Sequence, residues 1–352
     1  MPDCDGFHAT YLEPAMTHPE PPLLPEARRI IFCGKQQVRL EPFEIKPPGE
    51  HEVLVRIHLS LMSTGTENIV FNRLFDSGTH WDRWVQYPFA PGYCAVGTVE
   101  AVGSGTSLHI GDRVAVGRNH RSHHLVEESD CHPIPPEVPL DQAVWFALAK
   151  IAFMGAKAAE YRLGDRVLII GAGPIGQMSV RWARAAGASS ITVVDTQASR
   201  LTLAGQGGAT ATIAAPVGQA REEILAANQG RLPRVVVDST GNAKVFESAL
   251  ELADRFGTVI LLGDTGQPRM QHLTGDVITR GLTLRGAHAG HATAEWNDTT
   301  INRLFFDLAR RGDFPLAGLN THRFTPDQCE KAYCVAQRDR AATMGILFDW
   351  MG

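Results

Sequence analysis

The segment Gly171-Ala172-Gly173-Pro174-Ile175-Gly176 constrains the chain more than any other. It follows the apolar run Val167-Leu168-Ile169-Ile170 and opens a stretch in which Ile175, Met178 and Trp182 recur at helical spacing. A strand, a glycine turn and a helix in that order begin a βαβ unit. The first glycine allows the tight turn, the second lets the backbone approach a diphosphate, and the third lets helix and strand pack closely. The helix N-terminus then offers unpaired N–H groups and the positive end of its dipole to an anion. Asp195 lies 19 residues beyond Gly176, after the next apolar run Ile191-Thr192-Val193-Val194. An acid there accepts bonds from the hydroxyls of a dinucleotide ribose and repels a 2′-phosphate. NAD(H) is therefore favoured, with NADP(H) possible if Arg200, five residues on, turns inward and is not simply a solvated helix residue. Pro174, Ile175, Thr240 and Gly263 complete the expected cofactor-binding set.

The rhythm around this unit divides the chain. From Arg28 to about Pro136 short β-runs alternate with Gly and Pro, as in Glu52–His58, Ala95–Val102 and Arg113–Val116. From about Ala143 to Ala287 near-continuous apolar runs, including Val235-Val236-Val237 and Thr258–Leu262, alternate with amphipathic stretches. Runs of that kind suit strands buried on both faces of a parallel sheet. The tail carries an amphipathic helix over Ile301–Arg311, another over Pro326–Gln337, and a closing strand over Met344–Phe348. The expected organisation is a flexible N-terminal arm over residues 1–25, a mostly β domain over 26–145, a doubly wound cofactor domain over 146–287, and a segment over 288–352 returning to the first domain. The fold class is α/β.

Composition narrows the function. Charged residues make up 20% and the net charge is −5, which offers no general attraction to nucleic acid or an anionic membrane. The proline-rich start, with four acids in 25 residues, has no basic-then-apolar pattern of a secretory signal. Six scattered cysteines form no disulfide framework, so a reducing cytoplasm is expected.

Taken together, Pro91-Gly92, Gly111-Asp112-Arg113-Val114, Gly164-Asp165-Arg166-Val167, the glycine turn and Thr321-His322-Arg323-Phe324 resemble the medium-chain dehydrogenase/reductase superfamily, over roughly residues 28–352. The resemblance implies a GroES-like catalytic domain, an inserted Rossmann domain, an active site between them, a small-molecule substrate and a homodimer. Zinc-binding members carry a Cys-Gly-Thr/Ser-Asp segment where this chain has Thr64-Gly65-Thr66-Glu67, and Gly-His-Glu where it has Gly92-Tyr93-Cys94. Their third ligand falls where this chain reads Val144–Lys150, with no Cys, and Gly111–Leu125 has no room for the four-cysteine structural lobe. Zinc needs three or four N, S or O ligands in a tetrahedral array, so neither a catalytic nor a structural zinc is expected. The alternative is an improvised site of Glu67, Cys94 and one of His120, His123 or His124, three histidines read as a surface loop. Ser63-Thr64-Gly65-Thr66-Glu67 also resembles a zinc-lacking branch related to threonine and sorbitol dehydrogenase-like and hydroxyethyl-bacteriochlorophyllide dehydrogenase-like proteins.

Without a metal, hydride transfer still needs alignment of the two carbons and stabilisation of charge on the oxygen. The resemblance puts Thr66 in the proton relay and Tyr93 in the place of the ligating His, so both hydroxyls are candidates for the substrate oxygen. Either could instead be structural, Thr66 as a core hydrogen-bonding residue and Tyr93 as a filler of vacated volume. Glu67 either orients Tyr93 or a water, or pairs with an arginine. Lys150 either polarises a carbonyl near the nicotinamide or is a surface lysine at the domain joint. The leading expectation is a zinc-independent oxidoreductase acting on a hydroxyl/carbonyl pair of a small polyol, sugar or secondary metabolite. Quinone or enoyl reduction is the second reading, and a non-catalytic dinucleotide-binding protein the third.

Overall fold

The computed structural model describes residues 27–352, so the arm expected over residues 1–25 lies outside the described residues. Six parallel strands form one sheet, in the order Ala211–Ala214, Ser190–Asp195, Arg166–Ile170, Val235–Asp238, Thr258–Leu261, Thr283–Gly286. Alternation along the central strand explains its two covered faces. Val167 and Ile169 pack with Val180, Ala183 and Leu201 from the helices Pro174–Ala185 and Ala198–Gly207. Leu168 and Ile170 point the other way, against Ile224 of Arg221–Ala227 and Phe246 of Ala243–Leu252. Strand order reverses between Arg166–Ile170 and Val235–Asp238, and a ligand crevice opens beyond the carboxyl ends of strands at such a switch point.

The second sheet has seven strands along the path Asn320–Phe324, Gly345–Asp349, Glu52–Met62, Ala95–Val102, Arg113–Val116, Cys131–Pro133, with His123–Glu127 pairing Glu52–Met62. The GroES-like and Rossmann-type halves expected from the sequence are both present. The closing strand, Gly345–Asp349, lies antiparallel to Glu52–Met62, so the end of the chain completes the N-terminal lobe. The helix Phe146–Ala159 joins the two lobes, burying Phe146, Leu148 and Phe153 in a core shared with Phe305 and Phe314.

The segment with three histidines differs from expectation. His123 and His124 stand on the strand His123–Glu127, and the side chains of His120, His123 and His124 are all buried. Pairing with Glu52–Met62 draws the segment into the lobe, and each ring finds a partner there. His124 Nε2 meets the Asn119 carbonyl at 2.9 Å, and His123 Nδ1 meets the Ser122 hydroxyl at 3.0 Å, with its Nε2 3.2 Å from Glu100 but not hydrogen-bonded to it. Burial pushes both imidazoles below their ordinary pKa. Among the described residues no helix is long and apolar enough to cross a membrane.

Candidate functional site

A cleft of about 1140 Å³ runs between the lobes. One half is made by the Rossmann-type sheet. Gly171 leaves the strand Arg166–Ile170 with φ +90°, and a Cβ there would stand 2.8 Å from Thr240 Cγ2. A Cβ on Gly176 would stand 1.9 Å from the Gly171 carbonyl oxygen, so only glycine lets the helix Pro174–Ala185 begin so close to the strand. Gly263 is crowded too: a Cβ there would stand 2.3 Å from the backbone nitrogen of Gly241. Gly173 differs: its Cβ would meet only Arg200 Nη1, at 3.8 Å. The first and third glycines are thus required by protein packing, whereas the second faces open cleft. Pro174 and Ile175 begin the helix on the same wall.

Asp195 ends its strand with both carboxylate oxygens oriented by backbone donors, Ala172 N at 2.7 Å and Gln197 N at 2.8 Å. Arg200, expected as a solvated helix residue unless its loop turned inward, is half-buried. Its guanidinium lines the cleft beside Asp195, donates to the carbonyl oxygens of Arg340 and Thr343, and leaves Nε buried without a partner. The acceptors of the C-terminal segment draw it across.

The other half of the cleft is made by side chains. The helix Thr64–Asn72, unanticipated in the sequence, starts at Ser63 and sets Ser63 and Thr66 three residues apart on one side. The Ser63 hydroxyl is within hydrogen-bond reach of Tyr93 Oη, and Thr66 Oγ1 lies 3.4 Å from the same phenol. All three face the cleft. Burial, followed by the neighbouring Cys94 and Glu67, raises the pKa of the phenol, so Tyr93 is a neutral O–H at physiological pH.

Glu67 does not line the cleft but stands behind it, 2% exposed. Its carboxylate accepts from Ser63 N at 2.7 Å and from Tyr333 Oη at 2.5 Å, and His120 Nε2 sits 3.2 Å away. His120 Nδ1 in turn meets Ser60 Oγ at 2.8 Å. Glu67 therefore neither pairs with an arginine nor touches the Tyr93 phenol; it fixes Ser63, which does. Gly92, with φ +93°, permits this: a Cβ would stand 2.7 Å from the His120 ring. Tyr333 comes from the helix Cys329–Arg338 and gave no signal in the sequence, whereas Ser63 was within reach of a helical reading.

Lys150 is not a surface lysine. It is 16% exposed and its ammonium lies 2.5 Å from Asp298 at the start of the helix Asp298–Arg310. His132 and Asn302 line the same end of the cleft. On the opposite lip His80 Nε2 meets Asp264 at 2.8 Å, and Asp76 N donates to the Gly266 carbonyl at 2.9 Å, so the lobes touch across the cleft mouth.

The donors near Tyr93 are poor metal ligands. Burial holds the Cys94 thiol well above its ordinary pKa, the carboxylate of Glu67 is already taken by three partners, and Phe146 and Leu148 are the groups that the joining helix presents. Among the described residues no three His, Cys, Asp or Glu side chains gather into a metal-binding group. The improvised site of Glu67, Cys94 and a histidine is therefore not assembled.

Known proteins give the arrangement its context. The family described as an alcohol dehydrogenase GroES-like domain matches residues 49–138, and the family described as zinc-binding dehydrogenase matches residues 174–305. L-threonine 3-dehydrogenase of Anaeromyxobacter dehalogenans is 27% identical over 341 residues, covering 86% of this chain and 92% of that protein. Sorbitol dehydrogenase of Bos taurus is 27% identical over 297 residues, covering 73% and 82%. The crystal structure of galactitol-1-phosphate dehydrogenase from Escherichia coli shares the fold with a TM-score of 0.77 at 22% identity, over 92% of this chain and 99% of that one. Two lobes, an interlobe cleft and matches to both domain families lead to one assignment: the chain is an oxidoreductase of the medium-chain dehydrogenase/reductase superfamily.

Proposed function

We propose that the chain transfers hydride between a nicotinamide dinucleotide and a hydroxyl/carbonyl carbon without a metal, the substrate oxygen being held by Tyr93, Ser63 and Thr66. The convergence of these three hydroxyls on one point of the cleft carries the reading. The name of the matching family implies zinc, but the neutral thiol, the committed carboxylate and the apolar side chains of this site do not fit it. No step is routed through a metal.

The cofactor half does fit a dinucleotide. The open face of Gly173 and the N-terminus of Pro174–Ala185 suit the diphosphate, Asp195 suits the ribose, and Thr240 and Gly263 shape the wall beyond. When bound, the nicotinamide supplies or receives the hydride. Asp195 favours NAD(H) over NADP(H), and Arg200, engaged by the C-terminal segment, is not free to reward a 2′-phosphate fully.

Tyr93, kept neutral by burial, donates its O–H to a carbonyl oxygen and stabilises the charge that develops there. Ser63 and Thr66 can hand a proton to or from that phenol, because each hydroxyl both donates and accepts. Glu67 holds Ser63 in register from behind the cleft. The substrate class is a small polyol, sugar or secondary metabolite. A homodimer in the cytoplasm completes the reading: the five cysteines of the described residues are all free, and the edge strand Thr283–Gly286 lies beside the 88% exposed Ile278.

A parallel screen of ketones and enones for NADH consumption, with zinc measured on the same sample, tests the proposal. Ketone reduction with far less than one zinc per chain is expected. Turnover of enones alone would move the chain to C=C reduction, and stoichiometric zinc with chelator-sensitive activity would overturn the metal-free mechanism.

A further inference from the structure

Asn302 stands one turn into the helix Asp298–Arg310, on the wall of the cleft and 1% exposed, yet both its amide nitrogen and its amide oxygen lack hydrogen-bond partners. A buried carboxamide left so is costly, and the cost vanishes when a ligand supplies the missing donor and acceptor. Its neighbours say what kind of ligand. Asp298 precedes it by one helical turn and holds the Lys150 ammonium at 2.5 Å. His132, from the strand Cys131–Pro133 against which this helix packs, feels both charges, and burial keeps its imidazole below the ordinary pKa. The charges of Lys150 and Asp298 cancel, so an anionic or cationic substituent would have to break their pair. A hydroxyl need not. It accepts from the Asn302 amide nitrogen and donates to the amide oxygen, while Lys150 keeps N–H groups to spare.

Building on the hydride-transfer reading above, we propose that Asn302, with the Lys150–Asp298 pair and His132, forms a second subsite in the cleft for a neutral hydroxyl-bearing substituent of the substrate, away from the oxygen that Tyr93 holds. Asn302 is thereby a specificity-determining residue, and Lys150 acts as a binding group without taking part in proton transfer.

Three four-carbon ketones serve as probes: butanone, erythrulose, which adds hydroxyls to the same skeleton, and acetoacetate, which adds a carboxylate. Each is titrated into the full chain saturated with NAD⁺, where a ketone cannot be reduced, and binding is followed by the rapid change in fluorescence of Trp81 and Trp84 in the cleft, before NADH absorbance shows any oxidation of the erythrulose hydroxyls. Erythrulose should bind roughly tenfold or more tightly than butanone. Asn302→Leu should erase that difference while NAD⁺ affinity and melting temperature hold, since leucine fills the site without an unpaired amide. Should leucine prove too large to fold, Asn302→Ala gives the same comparison. Equal binding of erythrulose and butanone by the wild type, or a preference that survives in Asn302→Leu, overturns the subsite. Tightest binding of acetoacetate, lost in Lys150→Met, also overturns it by placing an anion there. Failure of the wild type to bind NAD⁺, or any ketone once NAD⁺ is bound, would instead sink the function on which the subsite rests.

Discussion

The two halves of the cleft are built from different materials. The cofactor half is built mainly on backbone: the positive φ of Gly171, and a helix start so close to the strand that a Cβ on Gly176 would stand 1.9 Å from a carbonyl oxygen. The substrate half is side chain: a hydroxyl from Ser63, a phenol from Tyr93, a carboxylate from Glu67 and a second phenol from Tyr333, 266 residues beyond that carboxylate. The packed glycines of a backbone cradle, Gly171 and Gly176, tolerate no added atoms, and the contacts that forbid them are local. A side-chain network can be rewritten one residue at a time, which lets one fold carry different chemistries.

The largest test of that contrast is Tyr93→Phe, which removes one oxygen and keeps the ring. Turnover should fall by about 10²–10³, or roughly 2.7–4 kcal/mol, with cofactor affinity unchanged. Near-normal turnover, at an unaltered melting temperature, would reduce the phenol to a space-filler. Gly173→Ala addresses the opposite half. Its methyl meets nothing closer than 3.8 Å in the protein, so the fold should survive while dinucleotide affinity drops by roughly tenfold or more as the diphosphate is pushed back. Gly176→Ala should instead lose melting temperature, because its methyl meets a carbonyl oxygen. If both variants melt alike and bind alike, the division between packing glycines and ligand glycines is wrong. Asp195→Ser should narrow the preference for NADH over NADPH by about tenfold, since it removes a charge opposed to a 2′-phosphate; competitive titration of the two cofactors decides it.

The smallest effect lies away from the cleft. Burial keeps His124 neutral in the folded chain, while the unfolded chain binds a proton near the ordinary histidine pKa of 6.5. The stability from this group is therefore complete above that pH and is lost as pH falls below it towards the depressed folded value. His123 and His132 act in the same direction. The melting temperature should decline from pH 7 to pH 5, and less steeply in His124→Gln. Parallel pH profiles for the two proteins would remove His124 from the account.

What could be read in the sequence follows the same division. Gly171, Gly173, Gly176 and Asp195 announce themselves because their geometry is local, within one βαβ unit of about 25 residues. The apolar runs of the parallel strands are legible because both faces are buried. In the substrate half Thr66, Tyr93, Glu67 and Lys150 were picked out only through the family resemblance, with the role of each left open. The partners of Glu67 were not, since nothing in the spacing of Ser63, His120 and Tyr333 says that a β-lobe and a C-terminal helix will bring them to one carboxylate. His123 and His124 were misread as a loop, and His120 as exposed, for a related reason. A histidine pair gives no strand signal of its own, and its burial depends on pairing with Glu52–Met62, some 65 residues earlier. Arg200 and Lys150 were each left with two readings because their anchors, the Thr343 carbonyl and the Asp298 carboxylate, arrive from the C-terminal segment.

The closing strand Gly345–Asp349 sets an order for the birth of the molecule. All six strands of the parallel sheet lie between residues 166 and 286, so that sheet has its full complement of strands while the ribosome still holds the rest. The lobe with Ser63 and Tyr93, although synthesised earlier, must wait for Gly345–Asp349 to fill the gap between Glu52–Met62 and Asn320–Phe324. The first part made is the last part finished. A chain released a dozen residues early would keep every glycine of its nucleotide cradle and lack the strand that seats its chemistry.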